Sequence, residues 1–189
     1  MPRTLEVTAR NTIDNFRGPA QISCVTVPPL DDIDHHLLAL VQVDATLSLH
    51  ELGERVALSP SAVQRRLGRL RAAGVITAQV AVVDPRAVGM ALTTVVLVEL
   101  TEDDAGQYAA FCARMLAEPT VQQCYSTVGQ WDYVVVMVTA DLADYRRISN
   151  RLFVDDKSVQ RYETLPTYER VKAQLAVPLS AITSTDIEP

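Results

Sequence analysis

Arginine and glutamine side chains cluster in one short stretch of this sequence, at residues 48–76. The stretch is SLHELGERVALSPSAVQRRLGRLRAAGVI. At about 100° per residue, Val63, Leu67 and Leu70 fall on one side of a helix and the polar residues fall on the other. Arginine can form bidentate hydrogen bonds to guanine and charge-assisted bonds to phosphate, and glutamine can pair with adenine. The pattern therefore predicts a surface that reads DNA.

Start and stop signals divide this stretch into two helices. Ser48 and Glu51 have capping-box spacing, which predicts that a helix starts there. Ser59 and Pro60 supply a second N-cap and a proline at the first helical position, where its missing amide is not needed. Gly74 is placed to end the second helix. Two capped helices with a tight turn favour a helix-turn-helix, and a charged surface helix with solvated arginines is the alternative.

Bulk properties limit the classes of protein that fit. The chain has 189 residues, of which 48% are hydrophobic and 21% charged, as expected for one large or two small globular domains. Its longest apolar run, residues 133–138, is far too short to span a bilayer, and the N-terminus lacks a secretory pattern, so we expect a cytoplasmic protein. The net charge of −6 means that DNA affinity must come from a local patch, which favours a dimer that presents it twice.

The cysteines and histidines show no metal-ligand spacing. The scattered cysteines favour small buried thiols in a reducing compartment, and the histidines lack an accompanying Cys, Asp or Glu constellation. The sequence shows no nucleophile with a base, no paired carboxylates and no phosphate-binding glycine loop. We therefore predict that the protein is not an enzyme and binds no cofactor and no metal. The residues concerned are Cys24, Cys112, Cys124, His35, His36 and His50.

The N-terminal half divides into three segments. Residues 1–29 have mixed polarity and no sustained period, which predicts an arm or flexible tail, with a strand pairing across a dimer as the alternative. Residues 30–45 predict the first helix of a DNA-binding domain at residues 30–76. After it, β-branched residues predict a connecting strand at residues 79–83, within a linker at residues 77–90.

The second half alternates strand, helix, strand, strand, helix, strand, which is the βαββαβ order of a ferredoxin-like sheet. We therefore predict an α+β fold with an N-terminal helix-turn-helix domain, a C-terminal βαββαβ domain at residues 91–175 and a tail at residues 176–189. Helices cover one face of such a sheet, and a second copy is the simplest cover for the other. The predicted strands are residues 92–100, 121–128, 133–139 and 158–168, and the predicted helices are residues 105–117, with Leu116 on the apolar face, and 142–153.

Ordered motifs give the chain a resemblance to a known family. LDDID, ELGERVALSPSAVQRRLGRLRAAGVI, VVDPRAVG and GQWDY resemble the Lrp/AsnC family, the leucine-responsive or feast/famine regulators of bacteria and archaea. The resemblance covers about residues 30–175. It implies a helix-turn-helix joined to a ligand-sensing βαββαβ domain, dimers that often assemble into octamers, and transcription control that answers to an amino acid.

By this resemblance, the second helix of the motif lies in the major groove. We assign Gln64 and Arg65 to bases, Ser61 and Arg69 to bases or phosphates, and Arg66 to a partly structural role. The predicted DNA-binding residues are Ser59, Ser61, Gln64, Arg65, Arg66, Arg69 and Arg71.

The resemblance also implies an effector site at residues 129–132, between subunits of adjoining dimers. Asp132 would pair with the ammonium of a free amino acid, backbone amides around Gly129 would hold its carboxylate, and Trp131 would form an apolar wall. From the loop alone, a plain β-turn is the alternative. The predicted effector-binding residues are Thr127, Gly129, Gln130, Trp131, Asp132 and Thr164.

These expectations combine into one predicted function. The chain is predicted to be a sequence-specific transcriptional regulator of amino-acid metabolism that binds double-stranded DNA and responds to a small amino-acid effector as a homodimer or octamer. The alternative is an architectural DNA-binding protein whose βαββαβ half serves assembly without sensing.

Overall fold

The elements of the chain group into two units in the computed structural model, which describes residues 29–101 and 105–179. The predicted N-terminal arm, apart from Pro29, and the tail beyond residue 179 lie outside the described residues. No described helix is both long enough and apolar enough to cross a membrane. The first unit contains described residues 29–82 and 171–179, and the second contains 83–101 and 105–170.

The first unit has three helices, α1 (Asp32–Val43), α2 (Leu49–Val56) and α3 (Pro60–Ala72). The predicted capping box is confirmed: the Ser48 N–H donates to Glu51 Oε2 at 2.8 Å and the Glu51 N–H donates to Ser48 Oγ at 3.2 Å. Ser59 Oγ accepts from the Ala62 N–H at 3.3 Å. Gly74 follows the C-cap of α3 with φ +70°, the left-handed conformation that glycine adopts at little cost.

The turn between α2 and α3 requires a residue without a side chain. A Cβ placed on Gly53 would lie 2.5 Å from the carbonyl oxygen of Leu58. The Leu58 N–H in turn donates to the Gly53 carbonyl at 2.9 Å. Glycine at this position therefore lets the turn pack directly on α2, so α3 starts only four residues after α2 ends.

Apolar side chains from all three helices close the core of the first unit. The C-terminal segment also belongs to it: the Val177 N–H donates to Gln42 Oε1 at 2.7 Å, and Gln42 Nε2 donates to the Val177 carbonyl at 3.1 Å. Leu179 packs against the same core. The most buried core residues are Leu37, Leu52, Val63, Leu67 and Leu70.

The second unit is an antiparallel sheet in the strand order β2-β3-β1-β4. Alternate residues of β1 and β3, among them Val96 and Val135, are fully buried and form one core with Phe111 and Phe153 from the helical segments. The predicted α+β fold and βαββαβ order are confirmed. The elements are β1 (Leu92–Leu100), α4 (Ala105–Ala117), β2 (Val121–Ser126), β3 (Tyr133–Thr139), α5 (Leu142–Ser149) and β4 (Val159–Pro166).

Some local predictions are wrong. Residues 79–83 form no strand, and their valines are exposed, because no described strand lies beside them to pair with. Leu116 is 89% exposed, because it lies about 80° around α4 from Tyr108, at the margin of the apolar stripe. The predicted helix at residues 142–153 is confirmed as a helical segment, but it is an α-helix only to Ser149 and continues as a π-helical turn at Asn150–Val154.

We predict that Gly53→Ala lowers the free energy of unfolding by about 1–3 kcal/mol, because the added methyl meets a backbone carbonyl that cannot move alone. Denaturant unfolding followed by circular dichroism measures the change. The matched control is Gly68→Ala in α3, where the added Cβ has no neighbour within 4 Å and should stabilise the helix by about 0.5–1 kcal/mol. Equal effects of the two substitutions would contradict the packing described for the turn.

Candidate DNA interface and effector site

Helix α3 presents a polar face to solvent. Its apolar side is buried in the core, which fixes the opposite side outward. Ser61, Gln64, Arg65 and Arg71 are exposed. Within the described residues, the guanidiniums of Arg65 and Arg71 have no ion-pair or hydrogen-bond partner. Both charges are therefore available to a polyanion.

Two other arginines of α3 are paired within the same unit. Arg66 Nη1 donates to Asp31 Oδ2 at 2.7 Å and to Asp34 Oδ1 at 2.9 Å. Arg69 Nη2 donates to Asp34 Oδ2. The Asp34 side chain is 1% exposed, whereas that of Arg69 is 46% exposed. The sequence pattern assigns Arg69 to bases or phosphates, whereas the geometry gives it a buried carboxylate as its partner.

Ser59, the remaining predicted DNA-binding residue, caps α3. Its Oγ accepts from the Ala62 amide and lies 3.1 Å from Ser61 Oγ. A serine at this position therefore helps to start the helix, because its hydroxyl satisfies an amide of the first turn that has no partner within the helix.

Residues 129–132 form a loop that is tied to the end of β1. The Thr127 N–H donates to the Asp132 carbonyl at 2.9 Å, and Thr127 Oγ1 donates to the Trp131 carbonyl at 2.5 Å. The Asp132 N–H donates to the Val98 carbonyl, and Asp132 Oδ2 accepts from the Leu100 N–H at 2.7 Å. Gly129 has φ +140°. The loop is therefore held in one conformation by its own hydrogen bonds.

Two charged residues that the sequence analysis missed lie at this loop. The Arg161 guanidinium stacks over the Trp131 ring, 4.4 Å from its centroid, and its Nη2 lies 2.7 Å from Glu99 Oε2. Glu99 and Arg161 are opposite each other on β1 and β4. Strand register creates this grouping, and no sequence motif signals it.

The predicted effector residues are only partly brought together. Thr127 and the loop residues are joined by the bonds above, and Gln130 is exposed. The Thr164 hydroxyl instead lies 2.5 Å from the Tyr145 hydroxyl, on the face that the helices cover. The structure therefore gives Thr164 a partner in α5 and not in the loop.

The cysteines that the structure describes are half-buried thiols. Cys112 Sγ lies 3.4 Å from the Tyr133 hydroxyl. Burial raises the pKa of Cys124 to about 11, so this thiol stays protonated at neutral pH. Cys24 lies outside the described residues. No group of three or more His, Cys, Asp or Glu side chains within the described ranges could hold a metal ion.

The sheet has a second face that α4 and α5 do not cover. The side chains that alternate with the core residues of β1 and β3 are half-buried and mostly apolar. Tyr125 on β2 and Leu165 on β4 extend this face and are 53% and 42% exposed. The central members of the face are Val95, Leu97, Val134, Val136 and Val138.

Comparisons with known proteins match both units. Residues 30–71 match the AsnC-type helix-turn-helix domain, and residues 93–177 match the Lrp/AsnC ligand binding domain. A transcriptional regulator of the helix-turn-helix type from Sinorhizobium fredii is 36% identical over 150 residues, which are 79% of this chain and 89% of that protein. The glutamate uptake regulatory protein of Zymomonas mobilis is 31% identical over 79% of this chain and 91% of its own length.

Solved structures agree with this match. A transcriptional regulator from Neisseria meningitidis, solved as a complex with L-Met, superposes with a TM-score of 0.74 and is 27% identical. The alignment covers 80% of this chain and 97% of that one. The fold and the exposed arginines of α3 thus define a DNA-binding transcriptional regulator with a ligand-binding domain. This chain belongs to the Lrp/AsnC family of transcriptional regulators, and the relatives described here have a regulatory, non-enzymatic role.

Three carboxylates of the first unit should make its stability sensitive to acid. The Arg66 guanidinium lowers the pKa of Asp31 below its ordinary value of 3.8. Hydrogen bonds from Thr46 lower the pKa of Asp44, and those from Ser48 lower the pKa of Glu51 below its ordinary 4.5. Each group is therefore deprotonated more readily in the folded state, so the stability it contributes is present above its ordinary pKa and is lost as the pH falls through the lowered pKa.

We therefore predict that the midpoint of thermal unfolding stays constant between about pH 7 and 5.5 and falls below about pH 4.5. Circular dichroism at a series of pH values measures it. Glu51→Gln keeps a capping side chain but removes one titrating group, so this variant should lose less stability on acidification. A midpoint that rises as the pH falls would contradict the assignment.

Proposed function

We propose that this chain is a sequence-specific regulator of genes for amino-acid metabolism, whose DNA binding responds to a small amino-acid effector. The observation that carries the proposal is the polar face of α3, where Gln64, Arg65 and Arg71 are exposed in a chain of net charge −6. Positive charge concentrated on one helix of an acidic protein supports binding at a defined patch and not general coating of DNA. A protein with this function works in the cytoplasm, where we place it.

Direct DNA contacts come from the exposed residues of α3. Arg65 lies near the centre of the outward face and is assigned to a guanine edge, because a guanidinium can donate two parallel hydrogen bonds to O6 and N7. Gln64 is assigned to a base, Ser59 and Ser61 to a base or phosphate near the start of the helix, and Arg71 to a phosphate at its end. A backbone approach to DNA is helped by the open space around Gly68.

The amino-acid effector binds at the loop of residues 129–132. The Asp132 carboxylate accepts from the Leu100 N–H through Oδ2. Its other oxygen, Oδ1, accepts no hydrogen bond within the described part of the chain. It can therefore accept from an ammonium group. The N–H groups of residues 129–131 also donate to no acceptor among the described residues, so they can hold a carboxylate. The relatives described above, one a glutamate uptake regulator and one solved with L-Met, support an amino acid as the ligand.

A dimer completes the proposal. The half-buried apolar face formed by β1 and β3 would be covered by a second copy of the sheet, and further assembly to an octamer would place loops of adjoining dimers together. Two subunits present two α3 helices, which can read half-sites one turn of duplex apart. The small number of unpaired arginines per subunit makes this duplication necessary for specific affinity.

An architectural protein that bends or bridges DNA without sensing remains the second candidate. One observation favours it: hydrogen bonds of Thr127 and Asp132, among them two to the β1 backbone, hold the loop of residues 129–132, as they would hold a purely structural turn. The two candidates differ in their response to amino acids, because only the regulator changes its DNA affinity or assembly when a ligand binds.

We predict that Arg65→Ala weakens specific DNA binding by about 1–3 kcal/mol per half-site, because a bidentate base contact is lost. The wild-type protein first selects a duplex from a random library. Fluorescence anisotropy then measures the affinity of each variant for this duplex and for its scrambled counterpart, and the difference between the two binding free energies is the sequence-specific part. Arg146→Ala is the matched control, since Arg146 is an exposed arginine of α5 in the other unit. Equal losses in the two variants would contradict recognition by α3.

We predict that a proteinogenic amino acid changes the fluorescence of Trp131, the single tryptophan of the chain, and alters DNA affinity at the same concentrations. Asp132→Asn should abolish both responses and leave thermal stability unchanged, because the amide oxygen can still accept from the Leu100 N–H. Asp132→Ala should lose the response and also stability, since that amide is left without its acceptor. If all amino acids leave fluorescence, affinity and oligomer size unchanged, the architectural candidate is favoured.

A further inference from the structure

One buried carboxylate connects the start of α1 to the middle of α3. Asp34 Oδ1 accepts from Arg66 Nη1 at 2.9 Å, and Asp34 Oδ2 accepts from Arg69 Nη2 and from the Asp31 N–H, the latter at 3.3 Å. Asp31 in turn caps α1 and accepts from Arg66. We call these four residues the Asp34 cluster: Asp31, Asp34, Arg66 and Arg69.

The position of the Asp34 cluster makes it an orienting device. The more extensive backbone approaches in this unit are between α1 and α2 and between α2 and α3, and side chains of α1 and α3 meet in the core and in the Asp34 cluster. Guanidinium–carboxylate bonds are directional, because the planar donor fork fits the carboxylate in few geometries. Bonds to residues 66 and 69, one turn apart on α3, therefore restrict both the rotation and the tilt of that helix.

The same geometry limits what Arg66 and Arg69 can do at DNA. Asp34 is fully buried, and a buried carboxylate that loses a cation is strongly unfavourable. For Arg69 to reach a phosphate, it would have to leave Asp34 with a single guanidinium. At 100° per residue, both arginines also lie on the flank of α3 that faces α1, whereas Arg65 lies near the centre of the outward face.

We propose that Asp34 is a positioning residue for the recognition helix, and that Arg66 and Arg69 serve DNA recognition by holding α3 against it and not by neutralising phosphates. Direct contacts then fall to Gln64, Arg65 and Arg71, together with Ser59 and Ser61 at the start of the helix. This inference rests on the proposed sequence-specific binding by α3, and it reassigns residues that the sequence pattern alone places in the DNA interface.

The salt dependence of DNA binding separates positioning from phosphate contact. Each phosphate contact that is lost reduces the slope of log K against log salt concentration by about 0.9. Arg69→Gln and Arg66→Gln should weaken specific binding with the wild-type slope. Arg71→Gln removes the unpaired charge that is assigned to a phosphate and should reduce the slope by about 0.9, which shows that the assay detects a lost phosphate contact. A reduced slope in Arg69→Gln would overturn the proposal.

Combined substitutions test the link to Asp34. Asp34→Asn should weaken binding to the selected duplex by roughly tenfold, which corresponds to about 1.4 kcal/mol, at temperatures well below its unfolding midpoint. Adding Arg69→Gln to Asp34→Asn should cost little more, because the pair is already broken. Adding Arg65→Gln to Asp34→Asn should cost less than it does alone, because a misoriented α3 has already weakened the Arg65 contact. Wild-type affinity in a folded Asp34→Asn variant, or full additivity with Arg69→Gln, would overturn the proposal.

Two controls separate a folding defect from a failure of the proposed function. Circular dichroism establishes that each variant is folded, and if Asp34→Asn does not fold, the pair Arg66→Gln and Arg69→Gln with their double variant gives the same coupling test at partly exposed sites. A wild-type protein that fails to distinguish the selected duplex from its scrambled counterpart would refute the proposed function itself. A discriminating wild-type protein with reduced slopes in the Arg66 and Arg69 variants would refute only the positioning role.

Discussion

The burial of the Asp34 carboxylate is the constraint on which the helix-turn-helix unit depends. Its side chain is almost completely removed from water, so its charge is tolerable only while guanidiniums remain beside it. Those guanidiniums belong to α3, and the carboxylate also accepts from the Asp31 amide at the start of α1. One side chain thus caps one helix and orients another. The solvent face of α3 follows from this arrangement together with the buried apolar side of the helix.

The second unit uses a similar device at a β-bulge. The register of β1 with β4 shifts between Glu99 and Leu100, and the Leu100 amide finds its acceptor in Asp132. The adjacent loop is therefore fixed from one side by a carboxylate and from the other by Thr127. At the proposed effector site, a ligand would therefore meet a preformed loop, because little conformational freedom is left to lose on binding.

Sequence alone predicted the features of this chain that depend on neighbouring residues. The capping box at Ser48 and Glu51 and the glycine that ends α3 involve residues at most a few positions apart, and the alternation of strands and helices follows from local periodicity. The strand expected at residues 79–83 is absent because a strand also needs a partner, and composition carries no information about whether one lies alongside.

Pairings between distant residues could not be predicted in this way. Arg69 and Asp34 are 35 positions apart, and Arg161 meets Glu99 across 62 positions through strand register. A pattern of arginines on a helix shows which side chains leave the core, but the surrounding helices decide which of them keep a free charge. That distinction reduces the predicted set of four α3 arginines to two without partners among the described residues, Arg65 and Arg71.

This reduction bears on how an acidic protein binds DNA at all. The chain carries 23 acidic and 17 basic residues, and in the Asp34 cluster two aspartates offset two of the arginines of α3. Because affinity for duplex rises with the number of phosphates neutralised, a single copy of α3 with two free arginines is a weak binder. Two copies of α3 at a fixed spacing would raise this affinity, and the proposed dimer through the apolar open face of the sheet would supply them. By the same proposal, the buried aspartate fixes the orientation of each α3 within its own unit, so that every copy would present Arg65 in the same way.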